Sequence, residues 1–389
     1  MRTQVGIVGA GPAGLLLSHL LHLAGIESVV VEARSREYAE NRIRAGILEH
    51  QVVEVLDQAG VGERMRQSGL PHDGTQLLFG GQLHRIDFLA LTGKRVMVYG
   101  QHEVVRDLIA ARMAAQGQIL FECSDVAVDG FEGDEPVVRF TQDGQAHELR
   151  CDIIAGCDGF HGICRPSLPQ GRLREYDRTY PFGWLGILAD APPSSHELIY
   201  ANHERGFALL SMRSPSVQRL YLQCAPDEDA EGWSDDRIWH ELATRLASPD
   251  FELQTGPVFQ KSVTPMRSYV AEPMQCGRLF LAGDAAHIVP PTGAKGMNSA
   301  VADVMLLARA LEAWFRRNDD GPLARYSDAA LRRIWKVQRF SWWMTTLFHR
   351  FEAASAFDRR MQLAELDYVT SSRAGATALA ENYVGLPLE

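Results

Sequence analysis

Three glycines near the start of the chain have the spacing of a site for nucleotide phosphates. Gly9, Gly11 and Gly14 form the pattern G-x-G-x-x-G between an apolar run at 4–8 and a helix-compatible apolar stretch that reaches position 24. The first glycine permits a tight turn, the second lets the backbone approach a pyrophosphate, and the third lets the helix pack on the strand. The phosphates would lie at the helix N-terminus, where free N–H groups favour negative charge. This spacing predicts a dinucleotide-binding site.

An acidic residue and two later glycine turns extend this pattern. Glu32 ends the apolar run at 29–31, 18 residues after Gly14, in a position where a carboxylate accepts hydrogen bonds from ribose hydroxyls. An Asp-Gly pair at 158–159 and a Gly-Asp pair at 283–284 each follow another apolar run. Either turn alone is typical of a buried strand that ends in a β-turn. Three such turns in this order are unlikely to arise by chance.

The three turns together resemble the fingerprints of the flavoprotein aromatic hydroxylases, the group A flavin monooxygenases. Further segments resemble the same family at 42–46, 180–184, 197–202, 290–296, 340–344 and 380–387, so the resemblance covers essentially the whole chain. It implies that the dinucleotide is FAD. The FAD contacts that it implies are Gly9, Gly11, Gly14, Glu32, Arg42, Arg44, Gln101, Arg219, Asp284 and Asn298.

The same resemblance implies an oxygenation chemistry. We expect 4-hydroxybenzoate to be hydroxylated to 3,4-dihydroxybenzoate with O₂, through a flavin C4a-hydroperoxide. A phenol reacts far better once it approaches phenolate, but its pKa is near 10 in water, so the site must move the proton away. The resemblance assigns this proton to Tyr200 and Tyr383, and it makes His72 the outlet toward solvent. Histidine suits that end because it exchanges protons near neutral pH.

Two predicted strands carry the residues that would hold an aromatic acid. Alternation along the segment 207–213 places Ser211 and Arg213 on one face, beside a neighbouring strand at 219–224. A guanidinium fork matches the two oxygens of a carboxylate. The substrate contacts that the resemblance implies are Tyr200, Ser211, Arg213, Tyr221 and Pro291, whose carbonyl is expected to accept from the substrate hydroxyl.

The chain has no second G-x-G-x-x-G for a nicotinamide cofactor, which is usual in this family. The resemblance implies that NAD(P)H delivers hydride in a surface cleft at Arg44, His161 and Arg267. Arg34 and Tyr38 follow Glu32, where an arginine could bind a 2′-phosphate through paired hydrogen bonds. A solvated, charged helix start explains these two residues equally well. We expect NADPH rather than NADH.

Composition excludes several other classes of protein. The 39 basic and 49 acidic residues give a net charge of −10, which argues against a nucleic-acid or anionic-membrane partner. The six cysteines include no C-x-x-C pair, so we expect no metal site and no redox disulfide. The apolar stretch at 15–23 is too short to cross a bilayer, and the early strand leaves no room for a signal peptide. These features predict a cytoplasmic protein.

The hydrophobic pattern predicts an α/β fold with a Rossmann-like FAD-binding domain. That domain is discontinuous, over 1–178 and 267–330, and a β-sheet substrate domain is inserted at 179–266. Helices are expected at 103–116, at 233–246, from Asn298 to Phe315 and from Leu323 to about His349. Asp-Gly pairs at 129–130 and 143–144 predict two hairpin turns. A C-terminal helical region at 331–389 would cover the site or form a homodimer contact.

Several other functions remain open at this point. Within flavoenzymes, the substrate could be another hydroxybenzoate or an aminobenzoate. A flavin oxidase or disulfide reductase is a second class, although the missing C-x-x-C argues against the reductase. A flavin-fold binding or chaperone protein without redox chemistry is a third. The presence of Glu32, Asp284 and both tyrosines argues against it.

Overall fold

The computed structural model describes residues 1–42 and 46–388 of the chain. Its strands in chain order are β1 Val5–Val8, β2 Ser28–Val31, β3 Ile47–Leu48, β4 Leu70–His72, β5 Gly74–Phe79, β6 Gln82–Asp87, β7 Val96–Val98, β8 Gln118–Leu120, β9 Ser124–Asp129, β10 Val137–Gln142, β11 Gln145–Arg150, β12 Ile153–Gly156, β13 Arg174–Asp190, β14 Ile199–Ala201, β15 Ala208–Ser214, β16 Val217–Cys224, β17 Val258–Glu272, β18 Gln275–Cys276, β19 Leu279–Leu281 and β20 His287–Ile288.

The helices flank these strands and close the C-terminal end of the chain. They are α1 Pro12–Leu23, α2 Arg36–Asn41, α3 His50–Gln58, α4 Glu63–Ser68, α5 Phe88–Thr92, α6 Gln101–Ala114, α7 Asp235–Arg245, α8 Gly296–Arg317, α9 Gly321–Ala324, α10 Tyr326–Phe348, α11 Ala356–Ser371 and α12 Arg373–Val384. Short 3₁₀ turns cover Ala230–Gly232, Gly283–Ala285 and Pro291–Gly293. No helix in these described ranges is long and apolar enough to cross a membrane.

The nucleotide-binding half of the fold is a six-stranded sheet in the order β18-β19-β12-β1-β2-β8. Every pair is parallel except β18 with β19, and α1 connects β1 to its neighbour β2. Strands buried on both faces need continuous apolar runs, and all four residues of β1, β2 and β12 are buried. The three glycine turns follow β1, β12 and β19 at the carboxyl edge of this sheet, where α/β folds bind ligands. The predicted strand–turn–helix arrangement is confirmed.

A second sheet of eight strands carries the expected substrate residues, in the order β20-β17-β13-β16-β15-β14-β5-β6. Its pairs are antiparallel except β14 with β5. The sheet extends beyond the predicted bounds 179–266, because β5 and β6 come from within the first predicted segment. The reason is the parallel pairing of Ile199–Ala201 with 76–78, a long-range contact without a local sequence signal. Only the tertiary structure places these strands in one sheet.

Both faces of the eight-stranded sheet are covered. On one face, α7 packs over a core that includes Ile238, Leu242 and Leu210. On the other face, the C-terminal helices and the sheet enclose an aromatic core that includes Tyr200, Phe340 and other large side chains: Tyr180, Trp184, Phe207, Phe348 and Tyr383. The predicted helix at 323–349 is two helices, α9 and α10, that meet at Arg325. The aromatic core joins the inserted sheet to the C-terminal region.

The two predicted hairpin turns differ from each other. The Asp143–Gly144 turn is tight, because both residues have positive φ and Gln142 pairs directly with Gln145. The Asp129–Gly130 pair also starts an antiparallel connection, but β10 begins only at Val137, so a longer loop replaces the expected two-residue turn. The helix predicted at 233–246 is confirmed as α7, and the Ser234 hydroxyl caps it by accepting from the Arg237 backbone N–H.

Gly14→Ala should destabilise the ligand-free protein, because a Cβ at Gly14 would lie 2.0 Å from the backbone oxygen of Gly9. Overpacking of this kind costs about 1–3 kcal/mol of unfolding free energy. Gly11→Ala is the matched control, since a Cβ there meets no atom within 4 Å and its φ is −75°. Urea unfolding of the two variants measures the difference. Equal unfolding free energies would contradict this packing argument.

Candidate active site

The loop between β1 and α1 has the geometry of a phosphate cradle. Gly9 has a φ of +104°, and a side chain at Gly14 would collide with the loop backbone. Space is open around Gly11 at the N-terminus of α1. Glu32 holds this loop, since its carboxylate accepts from the backbone N–H groups of Ala10 at 2.6 Å and Arg34 at 2.8 Å. A carboxylate has about four lone-pair positions, so acceptor capacity remains for ribose hydroxyls. These residues fit a dinucleotide.

Asp284 lies exposed on the 3₁₀ turn Gly283–Ala285, at the end of β19. A buried pair fixes this turn from behind. Asp303 of α8 accepts from the Gly283 backbone N–H at 2.9 Å and contacts His287 at 2.6 Å. Burial alone would lower the pKa of His287, but the adjacent Asp303 carboxylate outweighs it and raises this pKa. Sequence analysis missed Asp303, because an acid in the middle of an apolar helix is only interpretable once its partners are known.

Three more expected FAD contacts lie within the described residues. Arg42 is exposed at the end of α2, Gln101 is half-buried at the start of α6, and Asn298 lies in the first turn of α8, while Arg44 lies outside the described residues. The Asn298 side chain is bonded to backbone groups. Its amide N donates to the oxygens of Ile47 at 2.9 Å and Ala294 at 2.7 Å, and its oxygen accepts from the Glu49 N–H at 2.9 Å. Asn298 therefore anchors the 46–50 segment to α8.

A buried ion pair that sequence analysis missed lies beside this anchor. Lys295 Nζ is 2.5 Å from a Glu49 carboxylate oxygen and donates to the backbone oxygen of Tyr383 at 3.1 Å. Arg333 is 3.5 Å from the other Glu49 oxygen. Burial lowers the pKa of Lys295, and the Glu49 carboxylate opposes this effect. The pair joins the 46–50 segment, the turn before α8 and the C-terminal helix α12.

Tyr200 and Tyr383 meet inside the aromatic core, as the resemblance implied. Their hydroxyl oxygens are 2.7 Å apart, although the residues are 183 positions apart in the chain. Both side chains are almost fully buried, and burial raises the pKa of each phenol above its usual value. Neither hydroxyl therefore ionises near neutral pH. Since each hydroxyl can donate or accept, this pair can pass a proton by reversing its hydrogen bond.

His72 differs from the solvent-facing histidine that we expected. It ends β4, is only 2% exposed and is covered where β4 pairs with β7. Burial lowers the pKa of His72 to about 4, although Glu197 and Asp73 oppose this effect. Its Nδ1 has no hydrogen-bond partner among the described residues. The expectation of titration near neutrality is corrected: this imidazole is neutral at physiological pH because β4 and β7 bury it.

Arg213 lies among polar groups of β15 and β16 that point toward the aromatic core. The Arg219 Nε donates to the Tyr221 hydroxyl at 3.1 Å, which leaves the tyrosine proton free to donate elsewhere. Ser211 pairs with Arg219 in register, but the ladder is irregular between Met212 and Ser214, so Arg213 lies in a bulge. The simple alternation used for its placement therefore ends at Met212.

The guanidinium of Arg213 has no acidic partner within the part of the chain that the structure describes. Burial lowers the pKa of Arg213, and the charge of Arg219 lowers it further, while Tyr221 opposes them. Its Nε has no partner, and among the described residues no carboxylate lies within 4.0 Å of it. Its NH1 donates to the Met212 oxygen at 3.3 Å. A half-buried guanidinium in this state suits an anionic ligand, because a bidentate carboxylate would satisfy its donors.

The Pro291 carbonyl, the last expected substrate contact, begins the turn before α8. It accepts from the Ala294 backbone N–H at 2.9 Å, which uses one of its two lone pairs. The other lone pair remains for a ligand hydroxyl. This turn packs against α10, since the Thr292 and Thr345 hydroxyl oxygens are 3.0 Å apart and both side chains are buried.

The residues expected to bind a nicotinamide cofactor form two clusters. In one, the guanidinium carbons of Arg34 and Arg42 lie 5.5 and 5.9 Å from the centre of the Tyr38 ring. The other is built around Phe160, a residue that sequence analysis missed. The Phe160 ring contacts His161 edge-on at 5.1 Å, and Arg267 lies 4.5 Å above it.

Comparison with known proteins assigns the chain to a family. The family described as "FAD binding domain" matches residues 2–341 of this chain. The chain belongs to this FAD-binding family. Its resident dinucleotide is therefore FAD, and the residues of the cradle fit that group. The predictions of FAD and of the fold class are both confirmed.

Curated relatives in this FAD-binding family include an enzyme of nearly the same length. The chain is 52% identical over 391 aligned positions to "p-hydroxybenzoate hydroxylase" of Acinetobacter baylyi, covering 100% of this chain and 96% of the relative. It is also 28% identical to a "probable NADH-specific resorcinol 4-hydroxylase" of Rhodococcus jostii, covering 83% of this chain and 61% of the relative.

Solved structures support the same fold at lower sequence identity. The chain superposes on p-nitrophenol 4-monooxygenase from Pseudomonas putida with a TM-score of 0.82, at 20% identity and 99% coverage of both chains. It also superposes on a probable FAD-dependent monooxygenase from Pseudomonas aeruginosa with a TM-score of 0.76, at 20% identity, covering 94% of this chain and 99% of that one. At these identities the likeness concerns the fold alone.

Proposed function

We propose that this chain is an FAD-dependent monooxygenase that converts 4-hydroxybenzoate to 3,4-dihydroxybenzoate with NADPH and O₂. One observation carries the proposal: a buried phenol-binding end and a half-buried carboxylate-binding end border the same aromatic core. The hydroxyl pair of Tyr200 and Tyr383 supplies the first, and Arg213 supplies the second. The 52% identical relative with the printed name "p-hydroxybenzoate hydroxylase" supports the same substrate.

The hydroxyl end holds the substrate phenol and removes its proton. Tyr200 accepts or donates at the phenol oxygen, and its own proton passes to Tyr383 over 2.7 Å. Because both tyrosines keep raised pKa values, the proton moves by exchange between hydroxyls, without a tyrosinate. The buried, neutral His72 serves as the outer member of this path. Its unpartnered Nδ1 supports that assignment.

The carboxylate end fixes the orientation of the ring. Arg213 binds the carboxylate, while Ser211 and the free proton of Tyr221 donate to the same oxygens. The Ser211 hydroxyl is buried and has only a weak contact at 3.5 Å to the Met212 oxygen, so it is available as a donor. When Arg213 binds the para-carboxylate and Tyr200 binds the hydroxyl, the carbon ortho to the hydroxyl is positioned for oxygen insertion.

The glycine cradle and the Gly283–Ala285 turn would hold FAD next to this substrate pocket. When bound, FAD accepts hydride from the nicotinamide and, once reduced, activates O₂ for transfer of one oxygen atom to the ring. Gly9, Gly11 and Gly14 would hold its pyrophosphate, and Asp284 would bind its ribityl chain. For the nicotinamide cofactor, His161 and Arg267 lie beside Phe160, and Arg34 lies beside Tyr38. An arginine in this cluster could bind the 2′-phosphate of NADPH through paired hydrogen bonds, which favours NADPH over NADH.

We also infer a homodimer that works in the cytoplasm, where NAD(P)H is produced. The helices α10 and α11 expose large apolar side chains, namely Trp335, Trp342, Phe357, Met361 and Tyr368. Exposed aromatic side chains and methionine are enriched at protein interfaces. Sedimentation velocity of the FAD-loaded protein checks this inference, and a single species at the monomer mass of 43.2 kDa would contradict it.

Turnover with a panel of aromatic acids tests the function itself. The FAD-loaded protein is given NADPH or NADH with 4-hydroxybenzoate, 3-hydroxybenzoate or 4-aminobenzoate. Chromatography measures the hydroxylated product, and a peroxide assay measures the NADPH that is wasted. We expect 3,4-dihydroxybenzoate from 4-hydroxybenzoate, with little peroxide. A protein that retains FAD but forms no dihydroxy product from this acid would contradict the proposal.

Arg213→Ala should weaken substrate binding while FAD remains bound. The lost charged hydrogen bonds are worth about 1.5–3 kcal/mol, or at least about tenfold in the substrate dissociation constant. Titration of the flavin absorbance with 4-hydroxybenzoate measures this constant. Arg139→Ala is the control, because Arg139 forms exposed ion pairs with Asp129 and Glu148 in the three-stranded sheet of β9, β10 and β11. Near-wild-type affinity in Arg213→Ala would place the carboxylate site elsewhere.

Tyr200→Phe should change the substrate dissociation constant by no more than a few-fold but suppress hydroxylation. It removes only the hydroxyl that meets Tyr383, and general acid–base groups contribute about 10²–10⁴-fold to rate. NADPH oxidation should then yield peroxide, measured beside the dihydroxy product. Tyr176→Phe is the control, since that ring packs edge-on against Trp335 outside the core. Unchanged product yield in Tyr200→Phe would show that the hydroxyl pair does not carry the phenolic proton.

A further inference from the structure

A chain of buried hydrogen bonds runs along α10 behind the proposed substrate pocket. The Thr292 and Thr345 hydroxyl oxygens are 3.0 Å apart, and Thr345 donates its proton to the Ser341 backbone oxygen at 2.7 Å. Thr345 has only one hydroxyl proton, so Thr292 must donate to Thr345. The turn that carries Pro291 is thereby attached to the last turns of α10.

His349, which follows the last residue of α10, continues this chain in a fixed tautomer. Its Nδ1 lies 2.9 Å from the backbone oxygen of Thr345, and the Trp184 indole N–H donates to its Nε2 at 2.6 Å. An indole N–H can only donate, so Nε2 must be the acceptor and Nδ1 must carry the proton. Burial lowers the pKa of His349 to about 3, partly offset by the backbone bond, so the ring stays neutral. The imidazole is a rigid connector between α10 and β13.

The far end of the connector is the carboxylate side of the pocket. The Trp184 ring lies 4.8 Å from the Tyr221 ring, and Tyr221 contacts Arg213 and Arg219. The His349 ring also stacks on Phe207 at 4.4 Å, and Phe207 lies 6.2 Å from Tyr200. Each of Thr292, Thr345, His349 and Trp184 is at most 3% exposed, so water does not compete for these bonds.

We propose that His349 is a positioning residue that sets the distance between the two ends of the pocket, and hence the length of substrate that fits. It fixes Trp184, and thereby the carboxylate-binding strands, relative to the Pro291–Thr292 turn at the hydroxyl end. The inference rests on the proposed function. A pocket that grips a rigid ring at two points discriminates by length only when the two ends cannot separate, because packed elements otherwise shift to fit.

The test compares the binding of two acids that differ by one methylene. The dissociation constants of 4-hydroxybenzoate and 4-hydroxyphenylacetate are measured from flavin absorbance, without turnover, in the FAD-loaded wild type and variants. His349→Phe retains an aromatic ring for stacking but removes the acceptor of Trp184. His349→Gln places an amide oxygen near the former Nε2. His19→Gln changes a buried histidine that bonds to the Ala59 oxygen in the nucleotide-binding half, and it serves as the control.

We expect the wild type to bind 4-hydroxybenzoate more tightly than 4-hydroxyphenylacetate. His349→Phe should reduce the ratio of the two dissociation constants about tenfold, which is within the range of discrimination that one methylene provides. His349→Gln should recover most of the preference, and His19→Gln should retain all of it. Trp184→Phe should act like His349→Phe, and the double variant should be no worse than either, because each removes the same bond. A general loss of packing would instead weaken the binding of both acids equally and leave the ratio of their dissociation constants unchanged.

Thr345→Val keeps the test decisive if His349→Phe does not fold. It is nearly isosteric, removes the acceptor of Thr292 and should lower the same ratio. The role of His349 would be overturned by either of two results. One is an unchanged ratio of the two dissociation constants in the folded variants. The other is that the effects of Trp184→Phe and His349→Phe on this ratio add in the double variant. If wild type binds neither acid, the proposed function fails and the inference fails with it. If wild type binds and discriminates while the variants keep its ratio, only the inference fails.

Discussion

Two phenol hydroxyls that meet at 2.7 Å, one on β14 and one on α12, join parts of the chain that are far apart in sequence. A hydroxyl buried without a partner costs about 1–3 kcal/mol, so each tyrosine depends on the other. That pairing forms only if α12 closes over the eight-stranded sheet. Helix α12 is therefore part of the proposed active site, because it supplies one of the two hydroxyls.

Buried charges impose a second constraint, and most of them are neutralised within the chain. Lys295 pairs with Glu49, and His287 pairs with Asp303, each beside a segment expected to contact FAD. Arg213 is the contrast, because burial lowers its pKa and no carboxylate of the described residues approaches it. Removing a charge from water without a partner is costly, so an anion bound at Arg213 would relieve this cost. In the proposed function, the aromatic acid supplies that anion.

Helix α10 gives these groups a common support. Its C-terminal turns contact the Pro291–Gly293 turn through Thr345, and His349 contacts β13 through Trp184. Asn202 of the loop after β14 also donates to the backbone oxygens of Leu347 and Phe348. Because a helix with intact backbone hydrogen bonds is stiff along its axis, it holds its neighbours at a constant spacing. The geometry of the pocket thus depends on a helix behind its wall.

Local sequence determined the nucleotide-binding half, because its signals are short-range. Gly9, Gly11, Gly14 and Glu32 are read from spacing alone, and the structure places them at β1, α1 and β2 as predicted. The helix at 233–246 and the turn at Asp143 are likewise local and confirmed. Tyr200, Tyr383 and Arg213 were found through the family resemblance, since a tyrosine or arginine in a strand has no distinctive local pattern.

Tertiary structure decided what depends on long-range contact and burial. It placed β5 beside β14, assigned Asn298 to the 46–50 segment and buried His72 so that its pKa falls to about 4. Glu49, Lys295, Asp303 and His349 gained their roles in the same way. The physical reason is that a charge, pKa or hydrogen bond depends on surrounding atoms, and those atoms come from segments tens to hundreds of residues away. Spacing predicts a turn, but only packing determines what each side chain faces.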